Sequence, residues 1–232
     1  MHVARGFDVL GQAQAVPRSG RPSRARERQR AEVLDLARRE TLVEAAYSYC
    51  IVALDAPPAE LLRAGGEQLH APWLLPASGR LTAIACGACT IGPKLEERVA
   101  ALFAERRASL ALALDELGNE LLIAVSRRAQ DRMQADVDRR GLTMAGELRP
   151  GDPGLALAAQ AAMLRLAQAE TIGVRVNAAQ LMHPLKSITM VLGVGIDLPA
   201  VEWSRCDHCP TREKCTGRTR SSASEATAAH PT

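Results

Sequence analysis

The chain has 232 residues, enough for one domain or two small ones, which excludes a large multidomain enzyme. Hydrophobic residues make up 47% of the chain and charged residues 24%, as in folded soluble proteins, but only two Trp, two Tyr and two Phe are present. Aliphatic and alanine packing must therefore supply the core, and an aromatic platform for stacking bases is not expected. The formal net charge of +3 is concentrated in the first forty residues, so a basic binding surface across the whole fold is not expected. The N-terminal arginines could attract nucleic acid or an acidic partner, but a solvated tail is favoured, so nucleic acid is not an expected partner.

Both ends of the chain are predicted to lie outside the packed domain. Residues 1–28 mix Pro, Gly, Ser and Arg without apolar periodicity, which predicts a flexible Arg-rich tail. Residues 29–200 are predicted to fold, residues 201–217 to form a cysteine cluster, and residues 218–232 to be disordered. Neither a long apolar run nor an apolar signal segment occurs, so we expect a cytoplasmic protein without a membrane partner.

The first predicted elements are a helix and two strands. Helical spacing of apolar residues begins at Ala31, and the run Tyr47–Leu54 has the β-branched and aromatic residues of a strand. Leu81–Cys86 is predicted to be the next strand, and the glycines and proline of 87–93 are predicted to turn the chain into a helix.

The second half of the domain predicts a long helical stretch followed by mixed elements. Helical spacing runs from Lys94 to Arg140, with an interruption predicted near 106–109 and a stop at Gly141. A strand over Leu142–Leu148, a helix over Leu155–Ala169 and a strand over Lys186–Val194 follow. This order indicates an α+β fold.

The most specific local motif is a group of three cysteines, Cys206, Cys209 and Cys215, on one short segment. Their spacing brings thiolates around one ion, which predicts an iron–sulfur cluster or zinc, with a plain thiol cluster as the alternative. A tetrahedral site needs a fourth ligand. The candidates are His208, one of Cys86 and Cys89, or an external ligand.

Cys86 and Cys89 form a C-x-x-C motif between a predicted strand and a predicted helix, which is where redox dithiols occur. The flanking elements lack the βαβ order of a thioredoxin-like fold, which favours a structural role. The more specific alternative is that Cys86 or Cys89 completes a metal site together with the C-terminal cysteines. Cys50, inside a predicted strand, is interpreted as a small buried hydrophobic residue.

Two further sequence patterns bear on ligand binding. No phosphate-binding glycine motif is present, because neither G-x-G-x-x-G nor G-x-x-x-x-G-K-[ST] occurs. Asp115, Glu116 and Glu120 lie on neighbouring turns of the long helix and could face a cation, but a solvated or helix-flanking role is favoured.

Several phrases between about Thr82 and Gly195 resemble the activation domain of cobalamin-dependent methionine synthase and the stand-alone activation-like proteins of corrinoid metabolism. They are Ala83–Ala85 through Thr90–Gly92, Leu114–Glu120, Arg149–Asp152, Ala169–Val174 and Leu181–Thr189. The most diagnostic residues are Met182, Pro184 and Ser187.

The resemblance implies a C-shaped α+β fold with a mixed, mainly antiparallel twisted sheet and flanking helices. It also implies that the chain binds S-adenosylmethionine and presents it to an oxidised corrinoid, so that electron transfer and methylation restore methylcobalamin on a partner. The implied partners are a corrinoid-carrying protein or methyltransferase and a low-potential electron donor. The implied cofactor-binding residues are Glu116, Arg149, Pro150, Gly151, Asp152, Met182, Pro184 and Ser187.

This chain departs from the family pattern at the turn. Asp152 stands where the family has tyrosine, and Arg149 directly precedes Pro150, whereas the family arginine lies three residues before the proline, where this chain has Glu147. Two hypotheses follow. The chain either supports methyl transfer to cobalamin as an S-adenosylmethionine-binding activator, or serves as an accessory iron–sulfur or zinc scaffold that relays electrons without a methyl donor.

Overall fold

The computed structural model describes residues 1–11 and 23–199. The strands of the described residues, in chain order, are β1 (His2–Arg5), β2 (Ala46–Ala53), β3 (Leu61–Ala64), β4 (Glu67–His70), β5 (Arg80–Thr90), β6 (Thr143–Leu148), β7 (Arg175–Val176), β8 (Met182–His183) and β9 (Ser187–Ile196). Five of them form an antiparallel sheet in the order β1–β2–β5–β9–β6. Two small hairpins, β3–β4 and β7–β8, stand beside it.

The α-helices of the described residues are α1 (Arg24–Arg39), α2 (Lys94–Ala104), α3 (Ala108–Asp138) and α4 (Gln160–Leu166). The predicted break between 106 and 109 is present, because Arg106 adopts a left-handed conformation between α2 and α3. The chain also turns at Gly141 (φ +66°) after α3, as predicted. None of these helices is long and apolar enough to span a lipid bilayer.

Two hydrophobic cores lie on opposite faces of the main sheet. Helices α1, α2 and α3 pack on one face, and leucines and alanines supply most of that core, as the composition predicted. The other core lies under α4, the β3–β4 hairpin and the 3₁₀ turn at 169–172. A Cβ atom at Gly87 of β5 would lie 2.3 Å from Met133 Cε, so the glycine leaves space for the end of this α3 side chain.

Strand β5 runs through to Thr90, so the turn predicted to begin at Gly87 starts later. Gly87 pairs with Met190 of β9, and the small residues around it are buried on both faces of the central strand. A β-bulge at Thr82 interrupts the pairing of β5 with β9. Leu81 and Ala83 consequently belong to different cores, although only Thr82 lies between them.

The N-terminal segment contains regular structure that differs from the predicted tail. His2–Arg5 forms an edge strand on β2, and the His2 ring stacks on Tyr47 and Tyr49 with centroid distances of 5.8 and 5.2 Å. Helix α1 begins at Arg24, where Ser23 Oγ caps it by accepting from Arg26 N–H. Composition misses these contacts because the stacking partners of His2 lie more than forty residues away.

Candidate ligand-binding site

Most residues implicated by the resemblance lie near one end of the strands of the main sheet. Strands β5 and β6 both run antiparallel to β9, so their C-terminal ends lie at the same end of the sheet as the start of β9. The turn 149–152 leaves β6 there, and Met182 and Pro184 precede β9. Glu116 lies on the exposed side of α3.

Arg149 is held at the end of β6 by an ion pair. Its Nε and Nη2 atoms both donate to Glu147 Oε1 at 2.7 Å, and Nη2 also donates to Ser126 Oγ of α3 at 3.4 Å. The Arg149 and Glu147 side chains remain 19% and 24% exposed. This turn therefore presents a positive and a negative charge side by side.

Asp152 closes the turn on itself. Its Oδ2 atom accepts from the backbone N–H of Arg149 at 2.8 Å, and its backbone N–H donates to the Arg149 carbonyl at 2.9 Å. Gly151 occupies a left-handed conformation with φ +93°, which glycine adopts without strain. The carboxylate at 152 thus has a turn-forming role.

The segment Met182–Ser187, named here the β8–β9 loop, is bonded to α4 and β5. Gln160 Nε2, which is buried, donates to Met182 Sδ at 3.2 Å and to Thr189 Oγ1 at 2.8 Å. Ser187 Oγ donates to Thr90 Oγ1 at 3.0 Å. The Thr90 hydroxyl donates in turn to the Lys186 carbonyl at 3.3 Å.

Lys186 ties the same loop to α2 and α3. Its backbone N–H donates to Glu96 Oε2 at 3.2 Å, and its Nζ lies 2.7 Å from Asp115 Oδ1 and 2.6 Å from Asn119 Oδ1. Its side chain passes over Gly118, where a Cβ atom would lie 3.4 Å from Lys186 Cε. Asp115 is therefore already paired with a cation of this chain.

A cleft of about 480 Å³ opens beside the β8–β9 loop. It is lined by Arg5, Glu44, Ala46, Thr90, Gly92, Pro93, the segment Glu170–Gly173, His183 and Pro184. The His183–Pro184 peptide bond on its wall is cis. On the rim, Lys94 Nζ binds Glu44 Oε1 at 2.8 Å.

The structure separates the predicted residues into two groups. Pro184 lines the cleft, and Ser187 contacts the cleft residue Thr90, whereas residues 149–152 do not line it. Gln160 was missed by the sequence analysis. A signal was present, since Gln160 is the only uncharged polar residue between 155 and 167.

The C-x-x-C motif is neither a redox dithiol nor a pair of metal donors. Cys86 and Cys89 are buried within β5 and belong to different cores, so their thiols lie on opposite faces of the sheet. Burial raises the pKa of Cys89 to about 12, and burial together with neighbouring Cys50 raises the pKa of Cys86 well above its ordinary value. Both thiols therefore stay protonated. Cys50 is buried, as expected.

The predicted metal ligands Cys206, Cys209 and Cys215 lie outside the described residues, as do the predicted cysteine segment 201–217 and the tail 218–232. Within residues 1–11 and 23–199, His, Cys, Asp and Glu side chains form no group of three or more that could hold a metal ion. The iron–sulfur or zinc site stays a prediction.

No family model and no curated protein matches the sequence. Among solved structures, the chain is similar to the crystal structure of the MetH reactivation domain bound to AdoHcy, with a TM-score of 0.61 and 12% sequence identity. The match covers 92% of this chain and 86% of that chain. This similarity confirms the predicted α+β architecture with its antiparallel sheet, and at this identity it is evidence for the fold.

Proposed function

We propose that this protein binds S-adenosylmethionine and supports the reductive reactivation of a corrinoid protein. The observation that carries the proposal is the fold shared over 92% of the chain with the MetH reactivation domain, whose crystal structure contains AdoHcy. AdoHcy is the compound that remains when S-adenosylmethionine has given up its methyl group. The sequence phrases at 149–152 and 181–189 support the same assignment.

The charges at the β6 turn fit the amino-acid end of this ligand. Arg149 can pair with the methionine carboxylate, and Glu147 can pair with its ammonium group. A zwitterion would replace the internal Glu147–Arg149 pair with two ion pairs, so neither charge is left unpaired on binding. Asp152, turned towards its own backbone, has no assigned contact with the ligand.

The protein's proposed contribution is positioning. When bound, S-adenosylmethionine supplies a methyl group carried on a sulfonium sulfur. One electron from a low-potential donor and that methyl group together restore methylcobalt on the partner, and the irreversible methylation draws the unfavourable reduction forward. Binding and orientation are sufficient for this role, since it needs no acid–base group.

We further propose a corrinoid-carrying protein or methyltransferase as the partner. Cys206, Cys209 and Cys215 favour a second candidate function, an iron–sulfur electron relay or a zinc scaffold. Metal and sulfide analysis of anaerobically purified protein tests this function. A coloured cluster lost on Cys206→Ser supports the relay, stoichiometric zinc supports the scaffold, and metal-free protein contradicts both.

Binding of S-adenosylhomocysteine to the full chain tests the main proposal. Isothermal titration should give saturable binding, and the charge-balanced double variant Glu147→Gln/Arg149→Gln should weaken it about 10- to 100-fold. Two charged pairs with the ligand are lost, but the internal Glu147–Arg149 pair is lost from the free protein as well, so the net loss is about one charged hydrogen bond, about 1.5–3 kcal/mol. Arg63→Gln, an exposed arginine on β3, is the matched control. Absence of saturable binding at about 1 mM ligand would contradict the methyl-donor function.

A transfer experiment tests the reaction itself. Isotopically labelled S-adenosylmethionine, a low-potential reductant and an oxidised corrinoid protein are combined with and without this chain. We expect labelled methyl on cobalt only when the chain is present. Equal label in both mixtures would contradict a role in reactivation.

A further inference from the structure

The cleft beside the β8–β9 loop combines charges of both signs with an apolar floor. Arg5, at the end of β1, and Glu170, in the 3₁₀ turn at 169–172, are exposed on its rim. Ala46, Ile172 and Pro184 are buried and line its interior. Its volume of about 480 Å³ is within the range of small-molecule sites.

Polar groups accompany this apolar floor. Thr90 lines the cleft, and its hydroxyl accepts from the backbone N–H of Gly92 at 3.1 Å. Ser48 lies two residues beyond Ala46 on the same face of β2; it is 0% exposed, and its Oγ has no hydrogen-bond partner. Ser48 does not line the cleft, so of these two hydroxyl residues only Thr90 can contact a ligand there.

We propose that this cleft binds an α-amino acid with an apolar side chain. Arg5 pairs with the carboxylate and Glu170 with the ammonium group, while the side chain of the ligand contacts Ile172 and Pro184. Glu44 is assigned no ligand contact because Lys94 already binds its carboxylate at 2.8 Å.

This site is separate from the turn to which the methyl donor is assigned, because residues 149–152 do not line the cleft. The proposal therefore does not depend on the proposed function. The same zwitterionic chemistry occurs in free amino acids and in the amino-acid end of S-adenosylmethionine. The experiment below distinguishes these two sources.

Isothermal titration of the full chain with L-methionine and with L-leucine tests the site. We expect saturable binding that weakens at least about tenfold in Arg5→Gln and in Glu170→Gln, and that is unchanged in the exposed control Arg63→Gln. N-acetyl-L-methionine and L-methioninamide, which each lack one charge, should also bind at least about tenfold more weakly. Arg5 and Glu170 are exposed, so their substitution should leave the fold intact.

S-adenosylhomocysteine provides the second arm of the experiment. If its affinity falls in Arg5→Gln and Glu170→Gln and methionine competes with it, the cleft takes a nucleoside-linked amino acid; if only methionine and leucine respond, the cleft takes the free amino acid. If S-adenosylhomocysteine does not bind but methionine does, the proposed function fails and this site stands. The site is overturned if no ligand saturates at about 50 mM, or if Arg149→Gln abolishes binding that the cleft variants retain.

Discussion

Cys86 and Cys89 are three residues apart in β5, so the alternation of the strand places their thiols on opposite sides of the sheet. The same spacing in a turn before a helix would bring the two sulfur atoms together. Gly87 lies between the two cysteines; the sequence suggests it as a turn residue, whereas in the structure it pairs with Met190 inside the sheet. The chemistry of a cysteine motif thus depends on where its strand ends.

Alkylation of the native protein tests this placement. Because burial raises the pKa of both thiols and the thiolate is the reactive form, Cys86 and Cys89 should remain unmodified by iodoacetamide near neutral pH. Both should react once urea unfolds the chain. Peptide mapping by mass spectrometry measures each site, and rapid native modification of Cys89 would contradict its position in β5.

A second residue-scale feature is the pair between Glu67 of β4 and Arg165 of α4. Two parallel hydrogen bonds of 2.6 and 2.9 Å join them, and the donation from Arg165 lowers the pKa of Glu67 from its usual value of 4.5. A carboxyl group with a lowered pKa contributes stability above its unfolded-state pKa. That contribution is lost as the pH falls through the lower, folded-state value.

Glu67→Gln should therefore reduce the free energy of unfolding by about 0.5–1 kcal/mol at neutral pH, a value limited by the exposure of Arg165. The difference from the wild type should shrink to near zero below the folded-state pKa. Urea denaturation across a pH series measures both quantities. Glu60→Gln, at an exposed position of the same region, serves as the control; a constant Glu67→Gln effect at every pH would show that the pair acts through packing.

At the scale of elements, the β8–β9 loop is bonded by α2, α3, α4 and β5. The contacts of Lys186 with Glu96 and Asn119 join residues 90 and 67 positions apart. Local periodicity predicted β9 and the interruption between α2 and α3, because those features depend on neighbouring residues. It could not predict this convergence, which depends on how helices cross the sheet, nor the position of Gln160 beside Met182.

Removing the ammonium group of Lys186 tests how firmly the loop is held. Lys186→Met keeps the aliphatic chain over Gly118 but leaves Asp115 without its cation, so we expect a loss of about 1–3 kcal/mol of unfolding free energy. Amide hydrogen exchange in residues 182–187 should also become faster. Lys94→Met, which breaks the more exposed pair with Glu44, should cost less than about 1 kcal/mol and leave exchange in this loop unchanged.

Equal effects of the two lysine substitutions would contradict the role of Lys186 in holding the β8–β9 loop. The same role would be contradicted if Lys186→Met lost the expected stability while amide hydrogen exchange in residues 182–187 stayed unchanged, because the destabilisation would then arise elsewhere in the molecule.

At the scale of the whole molecule, two cores share one central strand. The fold remains similar to that of the MetH reactivation domain at 12% identity, which is consistent with a sheet specified by the pattern of buried residues. The sequence pattern predicted β2 and β9. It did not predict β1, a four-residue edge strand whose stability depends on stacking of His2 on distant tyrosines.

The bulge at Thr82 has a consequence for insertions and deletions during evolution. Leu81 and Ala83 face opposite cores, as two directly adjacent residues of a strand do. A chain that lacks Thr82 therefore keeps Leu81 and every later β5 side chain on its present side of the sheet. Its cost should be confined to the lost bonds to Leu54 and Val194, about 1–2 kcal/mol. Deletion of Ala85 instead moves the side chains on one side of the deletion from each core to the opposite core. In thermal denaturation, the chain that lacks Ala85 should be unfolded from the start, whereas the chain that lacks Thr82 should melt cooperatively.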